Sequence, residues 1–316
     1  ICAFFIGFSP DLIILSSMIL TETLSTFLVL MSLCLFFFYR EHRDDRSLYF
    51  GLSVVVMAIA SLVRTTSLLF FLPYFLDVVI FDRNKKLFAI SVLLPLFLFL
   101  PWTVRNYNIY KYPVFSNLAF GTNLAAGNRV GASGEQERYD AGDQYIKEHG
   151  YVVANKKMTR DGVNFIIGHP VDFLFLTAKK ISLFFSSARP LAFWPHLSGL
   201  NKLFFIVSSA LYSFILFVFG VKGMFFLYRN TREYNNKNLF FLFLSFFLLS
   251  VIPVILLVVE TRYRITSYIF LSVFAAGGLF DKFAAGDKRI LAVCLFVFLL
   301  NTMVDVMLNL DRVKLF

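Results

Sequence analysis

Eight apolar stretches of roughly membrane-crossing length alternate with short charged connections: Glu22–Tyr39, Leu48–Val63, Thr65–Phe81, Leu87–Val104, Leu203–Leu227, Leu239–Val259, Ile265–Phe280 and Ile290–Asn309. A helix needs about 17–25 residues to cross the hydrocarbon of a bilayer. The shorter stretches therefore have to extend into their flanks. The pattern predicts an all-α polytopic membrane protein with about eight transmembrane helices.

The positions of the positive charges orient these helices. The connection Arg40–Ser47 carries Arg40, Arg43 and Arg46, and Asp82–Lys86 carries Arg83, Lys85 and Lys86. Tyr228–Asn238 carries Arg229, Arg232 and Lys237, and Asp281–Arg289 carries Lys282, Lys288 and Arg289. If the spans alternate, these four connections share one side, which basic loops mark as cytoplasmic. Residues 105–202 then lie outside as a helical outer-face subdomain, flanked by transmembrane blocks at 1–104 and 203–316. Long loops cross a membrane largely regardless of charge, so the basic residues in this segment do not oppose the assignment.

Within the outer segment, Glu135–His149 and Ala154–Ile167 read as helices separated by Gly150. Val171–Ala188 is apolar, but Lys179 and Lys180 stand in its middle and a span there would break the alternation of basic loops. Leu174, Ala178, Ile181 and Phe185 recur at helical spacing, with Asp172, Lys179 and Ser186 on another face. That predicts an amphipathic helix lying along the outer interface, Lys179 and Lys180 opposite the apolar face. The first residues, Ile1–Phe8, begin without Met or a basic n-region and read as the tail of a helix. The expectation is a fragment of a longer membrane protein.

Composition agrees with the pattern. Hydrophobic residues make up 58% of the 316 residues, charged residues only 16%, and there are 42 Phe. Such a balance excludes a cytosolic globular enzyme and a disordered scaffold. The net charge of +10 follows from basic cytoplasmic loops, so no nucleic-acid partner is inferred from it. Cys2, Cys34 and Cys294 lie in apolar runs with no metal or redox spacing. His42, His149, His169 and His196 are scattered and do not spell a zinc site. Asp305 falls about a turn from the outer end of the last span, where a carboxylate snorkels to water by default.

Four polar clusters fall on the outer side: Glu22; Arg64; Arg105 leading into Asn123 and Asn128; and Glu260, Arg262, Tyr263 and Arg264. Each has an ordinary reading. Arg at a helix end anchors it at the interface, Glu22 suits a helix N-terminus, Asn beside Gly makes turns, and Glu260 with its Arg neighbours makes a local ion pair. Together the arginines favour a phosphate ligand, because the guanidinium fork binds phosphate bidentately and stays charged. A phosphate-bearing lipid of the outer leaflet fits that chemistry. These residues are expected to converge on one cavity.

The same residues carry a resemblance. Pro10 followed by Thr21-Glu22-Thr23-Leu24, Leu62-Val63-Arg64-Thr65-Thr66, Pro101-Trp102-Thr103-Val104-Arg105-Asn106-Tyr107, Gly121 to Asn128, Asn164 to Pro170 with Lys179-Lys180, and Arg262-Tyr263-Arg264 occur in that order from about Pro10 to Leu279. The ordered set resembles the GT-C glycosyltransferases, multi-span enzymes related to protein mannosyltransferases and bacterial lipid A aminoarabinose transferases. Two positions depart from the family pattern: Thr65 stands where the family has Pro, and Ala125 where it has Tyr.

The resemblance implies an integral, multi-pass enzyme of the cell envelope, in a bacterial inner or plasma membrane. It would move a sugar, with inversion, from a polyprenyl-phosphate-linked donor to a glycan, lipid or protein acceptor on the outer face. It implies a catalytic carboxylate in a first outer loop upstream of Ile1, with the lipid phosphate held by Arg64, Arg105, Arg262 and Arg264. Glu22 would orient the acceptor or a divalent cation; no cofactor is specified. Arg264→Ala is then expected to slow transfer on the order of 10²–10³-fold, the scale for removing one transition-state donor. A transporter or flippase for a phosphate-bearing lipid is the rival reading; it requires charge in mid-span, which the stretches largely lack. A purely structural membrane subunit is a third, with no use for Arg-Tyr-Arg or for a long outer segment.

Overall fold

The computed structural model describes residues 1–18, 20–41, 47–115, 117–137, 139–188, 199–230, 237–280 and 285–308. In chain order the helices are α1 (Cys2–Gly7), α2 (Pro10–Ser16), α3 (Thr21–Glu41), α4 (Ser47–Val63), α5 (Phe71–Asp77) and α6 (Lys85–Tyr110). They continue with α7 (Phe120–Gly127), α8 (Asp140–Gly168), α9 (Pro170–Phe184), α10 (Gly199–Asn230), α11 (Lys237–Leu256), α12 (Ile265–Phe280) and α13 (Ala285–Leu308). Among the described residues the only strand-like pairing is an isolated bridge between Glu135 and Val259. The chain is helical, as its apolar pattern predicts.

Among the described residues, five helices are long and apolar enough to cross a membrane: α3, α6, α10, α11 and α13. The other three predicted spans are helical but shorter. α4 has 17 residues and α12 has 16, about 25 Å each at 1.5 Å per residue. The stretch from Thr65 is broken into a 3₁₀ turn (Thr65–Phe70), α5 and a π turn (Val78–Asp82). The count of eight therefore reduces to five that meet the length requirement unaided. Arg43, Arg46, Arg232 and Lys282, which helped orient the spans, lie outside the described residues, as do His42 and His196.

Contacts group the residues into two compact units, one of Leu20–Ala132 with Gln136–Pro170 and one of Ile1–Ile19, Ser133–Glu135 and Val171–Phe316. In the first unit α3 packs on α4 and the following turns. Ser32 Oγ donates to Ser53 O at 2.6 Å and lies 2.8 Å from Tyr74 Oη, and Phe36 stacks on Tyr74 at 4.2 Å. An ion pair marks each end of α3. Glu22 meets Arg64 at 2.9 Å, and Arg40 meets Asp77 at 2.6 Å. Glu22 and Arg40 are 18 helical positions apart, about 27 Å along the axis. That is close to the ~30 Å hydrocarbon thickness, so both pairs can sit near a boundary with an apolar helix between them.

The subdomain part of this unit is α7 against α8. α8 bends at Gly150, whose φ of 78° is open to glycine and strained for other residues. The predicted break between two helices is thus correct; the first begins at Asp140 rather than Glu135, and the second runs to Gly168. α7 lies so close to α8 that a Cβ at Gly121 would overlap Asn155, and one at Gly162 would lie 2.7 Å from Leu124. Ala125, Ala154 and Met158 form the small core beneath, with Tyr139, Tyr145 and Ile146 around it.

In the second unit α10 crosses α12 through glycines. A Cβ at Gly278 would lie 2.5 Å from Phe219 O, and one at Gly223 would overlap the Phe274 carbonyl. Close backbone approach through small residues is how apolar helices associate where water supplies no drive. Around the crossing, Phe217 meets Tyr268, Phe185 and Phe298. On the outside of the long helices, Phe97, Phe204 and Phe296 are 70%, 76% and 65% exposed. Apolar surface on that scale calls for lipid, and with the five long helices it makes this a membrane protein.

α9 corrects one expectation. Leu174, Ala178 and Ile181 are exposed, consistent with an unpartnered apolar face, and Lys179 is exposed too. Lys180, expected on the polar side, is fully buried with Leu176, Leu183 and Phe184. Its Nζ reaches Leu256 O at 3.4 Å, and its stem covers Gly134. Desolvation lowers its pKa to about 8. The helix has an exposed apolar face and a buried one, and the buried face carries the lysine.

Candidate functional site

Glu22 opens α3 and Arg64 precedes the 3₁₀ turn, 42 positions later. The Arg64 backbone is extended (φ −145°, ψ 113°), which ends α4 and turns the chain into the next segment. The 2.9 Å pair they form is largely withdrawn from water, with Glu22 side-chain exposure 5% and Arg64 14%. Around it, Thr21 Oγ1 donates to Glu22 Oε2 at 3.4 Å, Ser25 and Ser67 hydroxyls approach to 3.4 Å, and Asn117 Nδ2 donates to Thr65 Oγ1 at 2.7 Å. The structure therefore brings together two candidates that only tertiary packing could unite.

Arg105 lies near the C-terminal end of α6 and is exposed. Its guanidinium rests 4.9 Å from the centre of the Trp102 ring and donates to Asn106 Oδ1 at 3.1 Å. Asn106 is buried and donates to Val114 O at 2.9 Å, which turns the chain back after the helix. No ion pair is formed by Arg105 among the described residues, so its charge is available to an anion. It also complements the helix C-terminus.

Asn123 is half-buried on α7, and Asn128 follows that helix, buried, its Nδ2 donating to Leu124 O at 2.9 Å. Gly121 N donates to Asn155 Oδ1 at 2.7 Å, tying α7 to α8. Asn128 thus acts first as a cap; the carbonyls it serves would otherwise be left without donors.

In the other unit, Glu260 and Arg262 pair at 2.9 Å across the 3₁₀ turn Thr261–Arg264, and Arg262 lies 5.3 Å from the Tyr263 ring centre. Arg264 differs from its neighbours. It is 1% exposed, donates from Nη1 to Phe184 O at 3.0 Å and to Ser186 O at 2.7 Å, and lies 5.9 Å from the Phe217 ring centre. One guanidinium thus secures the carbonyls at the end of α9.

Sequence reasoning missed what surrounds Arg264. Ser186 Oγ donates to Asp305 Oδ2 at 2.5 Å, so Asp305 is buried at 4% exposure and does not snorkel. Ser182 and Asn301 exchange two hydrogen bonds, at 2.5 and 2.9 Å, between α9 and α13. Asp11, 1% exposed, accepts from Ser209 Oγ at 2.6 Å and from Tyr268 Oη at 3.5 Å. Asp11 had one available signal, an acid directly after Pro in an apolar stretch, and such residues are rarely idle in a membrane protein.

Among the described residues no group of three or more His, Cys, Asp or Glu side chains is placed to hold a metal. Comparison of the chain with protein-family models, curated proteins and solved structures finds no match.

Proposed function

We propose that this protein is a membrane glycosyltransferase of GT-C type, with about eight helices in the bilayer once the shorter α4, α12 and Thr65–Ile80 segments are included. It takes a sugar from a polyprenyl-phosphate donor to a glycan, lipid or protein acceptor on the outer face of the membrane. The observation that carries the reading is the ordered set of motifs from Pro10 to Leu279, of which Thr21–Leu24, Leu62–Thr66 and Arg262–Arg264 fall at the ends of α3, α4 and α12. Within that reading Arg105, exposed beside Trp102, takes the lipid phosphate, and the buried Glu22–Arg64 pair holds the start of α3 against the end of α4. In the other unit, Arg264 holds the Phe184 and Ser186 carbonyls at the end of α9.

Chemically, the leaving lipid phosphate gains negative charge as the glycosidic bond breaks, and cations placed there lower the barrier. The acceptor hydroxyl loses its proton to a carboxylate and attacks the anomeric carbon from the opposite face.

The test is transfer of radiolabelled hexose and, separately, pentose from undecaprenyl phosphate in membranes containing the protein, read as label entering the glycolipid, glycan and protein fractions. Label appearing in one of these fractions, and lost with Arg105→Ala, is expected. No transfer from any such donor, with protein-dependent movement of a fluorescent polyprenyl-phosphate lipid across vesicle membranes, would replace this reading with the flippase.

A further inference from the structure

α7 and the second half of α8 enclose an open cavity of about 310 Å³. The Glu22–Arg64 pair is not among the residues that line it. It falls in the lower range of ligand pockets, ~300–1,000 Å³. Its walls are unlike the apolar surfaces elsewhere in the molecule. Its lining includes Asn128, Asn164, Asp161 and the aromatic residues Tyr139, Phe165 and His169.

Several of these groups are held in place. The Arg129 guanidinium, also in the wall, lies 4.7 Å from the centre of the Tyr139 ring and donates to Ala126 O. Phe165 and His169 stack with ring centres 5.4 Å apart and planes at 28°. Asp161 takes the Lys157 ammonium on Oδ2 at 2.5 Å. Asn164, exposed on α8, makes no hydrogen bond among the described residues, so its amide remains open to a ligand.

A sugar ring presents apolar C–H faces and an edge of hydroxyls that each donate and accept. Fixed aromatic rings match the faces. Amides and carboxylates match adjacent hydroxyls, accepting and donating in pairs. The lining carries both signs, Arg129 and the Lys157-paired Asp161, and so does not single out an anion.

We propose that this cavity binds a neutral sugar unit, which, resting on the transferase reading, belongs to the acceptor glycan. The site commits the acceptor to a carbohydrate, where the family resemblance leaves glycan, lipid and protein open.

The proposal is tested by saturation-transfer NMR on the detergent-solubilised protein, with D-mannose, N-acetyl-D-glucosamine and D-glucuronate as separate probes. Saturation transfer to at least one neutral sugar and not to glucuronate is expected. Asn164→Ala, at an exposed helical position that disturbs no packing, should weaken that binding about 3–10-fold, the scale of one hydrogen bond. His169→Ala should weaken it as well by removing a ring surface. Absence of transfer to either neutral sugar, preference for glucuronate, or binding indifferent to both substitutions would overturn the site. Failure of the enzymatic reading looks different: mannose or N-acetylglucosamine still binds in an Asn164-dependent way, while no polyprenyl-linked sugar is transferred.

Discussion

Removing Arg64 should cost far more than removing an exposed arginine. Its pair with Glu22 is 2.9 Å long, and the two side chains are only 14% and 5% exposed. Taking away Arg64 leaves the Glu22 carboxylate withdrawn from water with less positive charge beside it. Breaking a buried pair costs about 3–5 kcal/mol, against ~0–1 kcal/mol at a surface. The residual exposure of Arg64 places Arg64→Met near the lower end, at about 3 kcal/mol. Glu22→Gln should cost less, since the amide is neutral and Arg64 can turn toward water. The double substitution should be milder than the sum of the singles, with a coupling of about 1–3 kcal/mol. Unfolding in detergent, followed by the fluorescence of Trp102 in a Trp194→Phe background, reads the unit that contains the pair. A coupling below about 0.5 kcal/mol would show that Arg64 is an interfacial anchor and that Glu22 does not depend on it.

Four further outcomes follow from single positions. Gly223→Ala should lower the melting midpoint strongly, since its Cβ would meet the Phe274 carbonyl; the expected loss is about 1–3 kcal/mol for overpacking, whereas Gly51→Ala, with open space around it, should be neutral or stabilising. Equal effects at the two sites would refute the tight α10–α12 crossing. Lys180 has its pKa lowered to about 8 in the folded protein, so between that value and the unfolded ~10.4 the unfolded chain binds more protons and stability rises with pH. Below that window the cost of burying the ammonium is fully present; above it the cost is gone. Lys180→Met should flatten this rise, and parallel melting profiles for the two proteins would contradict it. Arg105→Ala should reduce sugar transfer on the order of 10²–10³-fold at unchanged melting midpoint, with Arg105→Lys recovering part, because the ammonium keeps the charge but not the fork. Full activity of both variants would remove Arg105 from the phosphate site. Cysteines placed at Lys85 and at Arg262 should label from opposite sides of the membrane; labelling from one side would break the alternation on which the orientation rests.

Much of the helical layout is legible in the chain because it depends on local properties. An apolar run has to satisfy its backbone internally in lipid, and only a helix does so within one segment. Hence the predicted stretches are helices, and Gly150, the residue tolerating the required positive φ, marks the bend in α8. The length requirement also separates α3, α6, α10, α11 and α13 from the shorter α4 and α12, although Pro95 and Pro101 inside α6 and Pro253 inside α11 give no outward sign of being accommodated. Which polar groups meet across the fold is a different matter. Glu22 finds Arg64, Arg40 finds Asp77, and Ser186 finds Asp305 at separations of 42, 37 and 119 positions, pairings that no periodicity encodes. Lys180 reads as a surface charge until α9 is docked, and Asn128 and His169 become walls of one cavity only when α7 lies against α8. The reason is physical: the cost of an apolar run in water is set by its own composition. The cost of a buried charge is set by the partner that packing brings to it, and in this chain that partner lies on another helix.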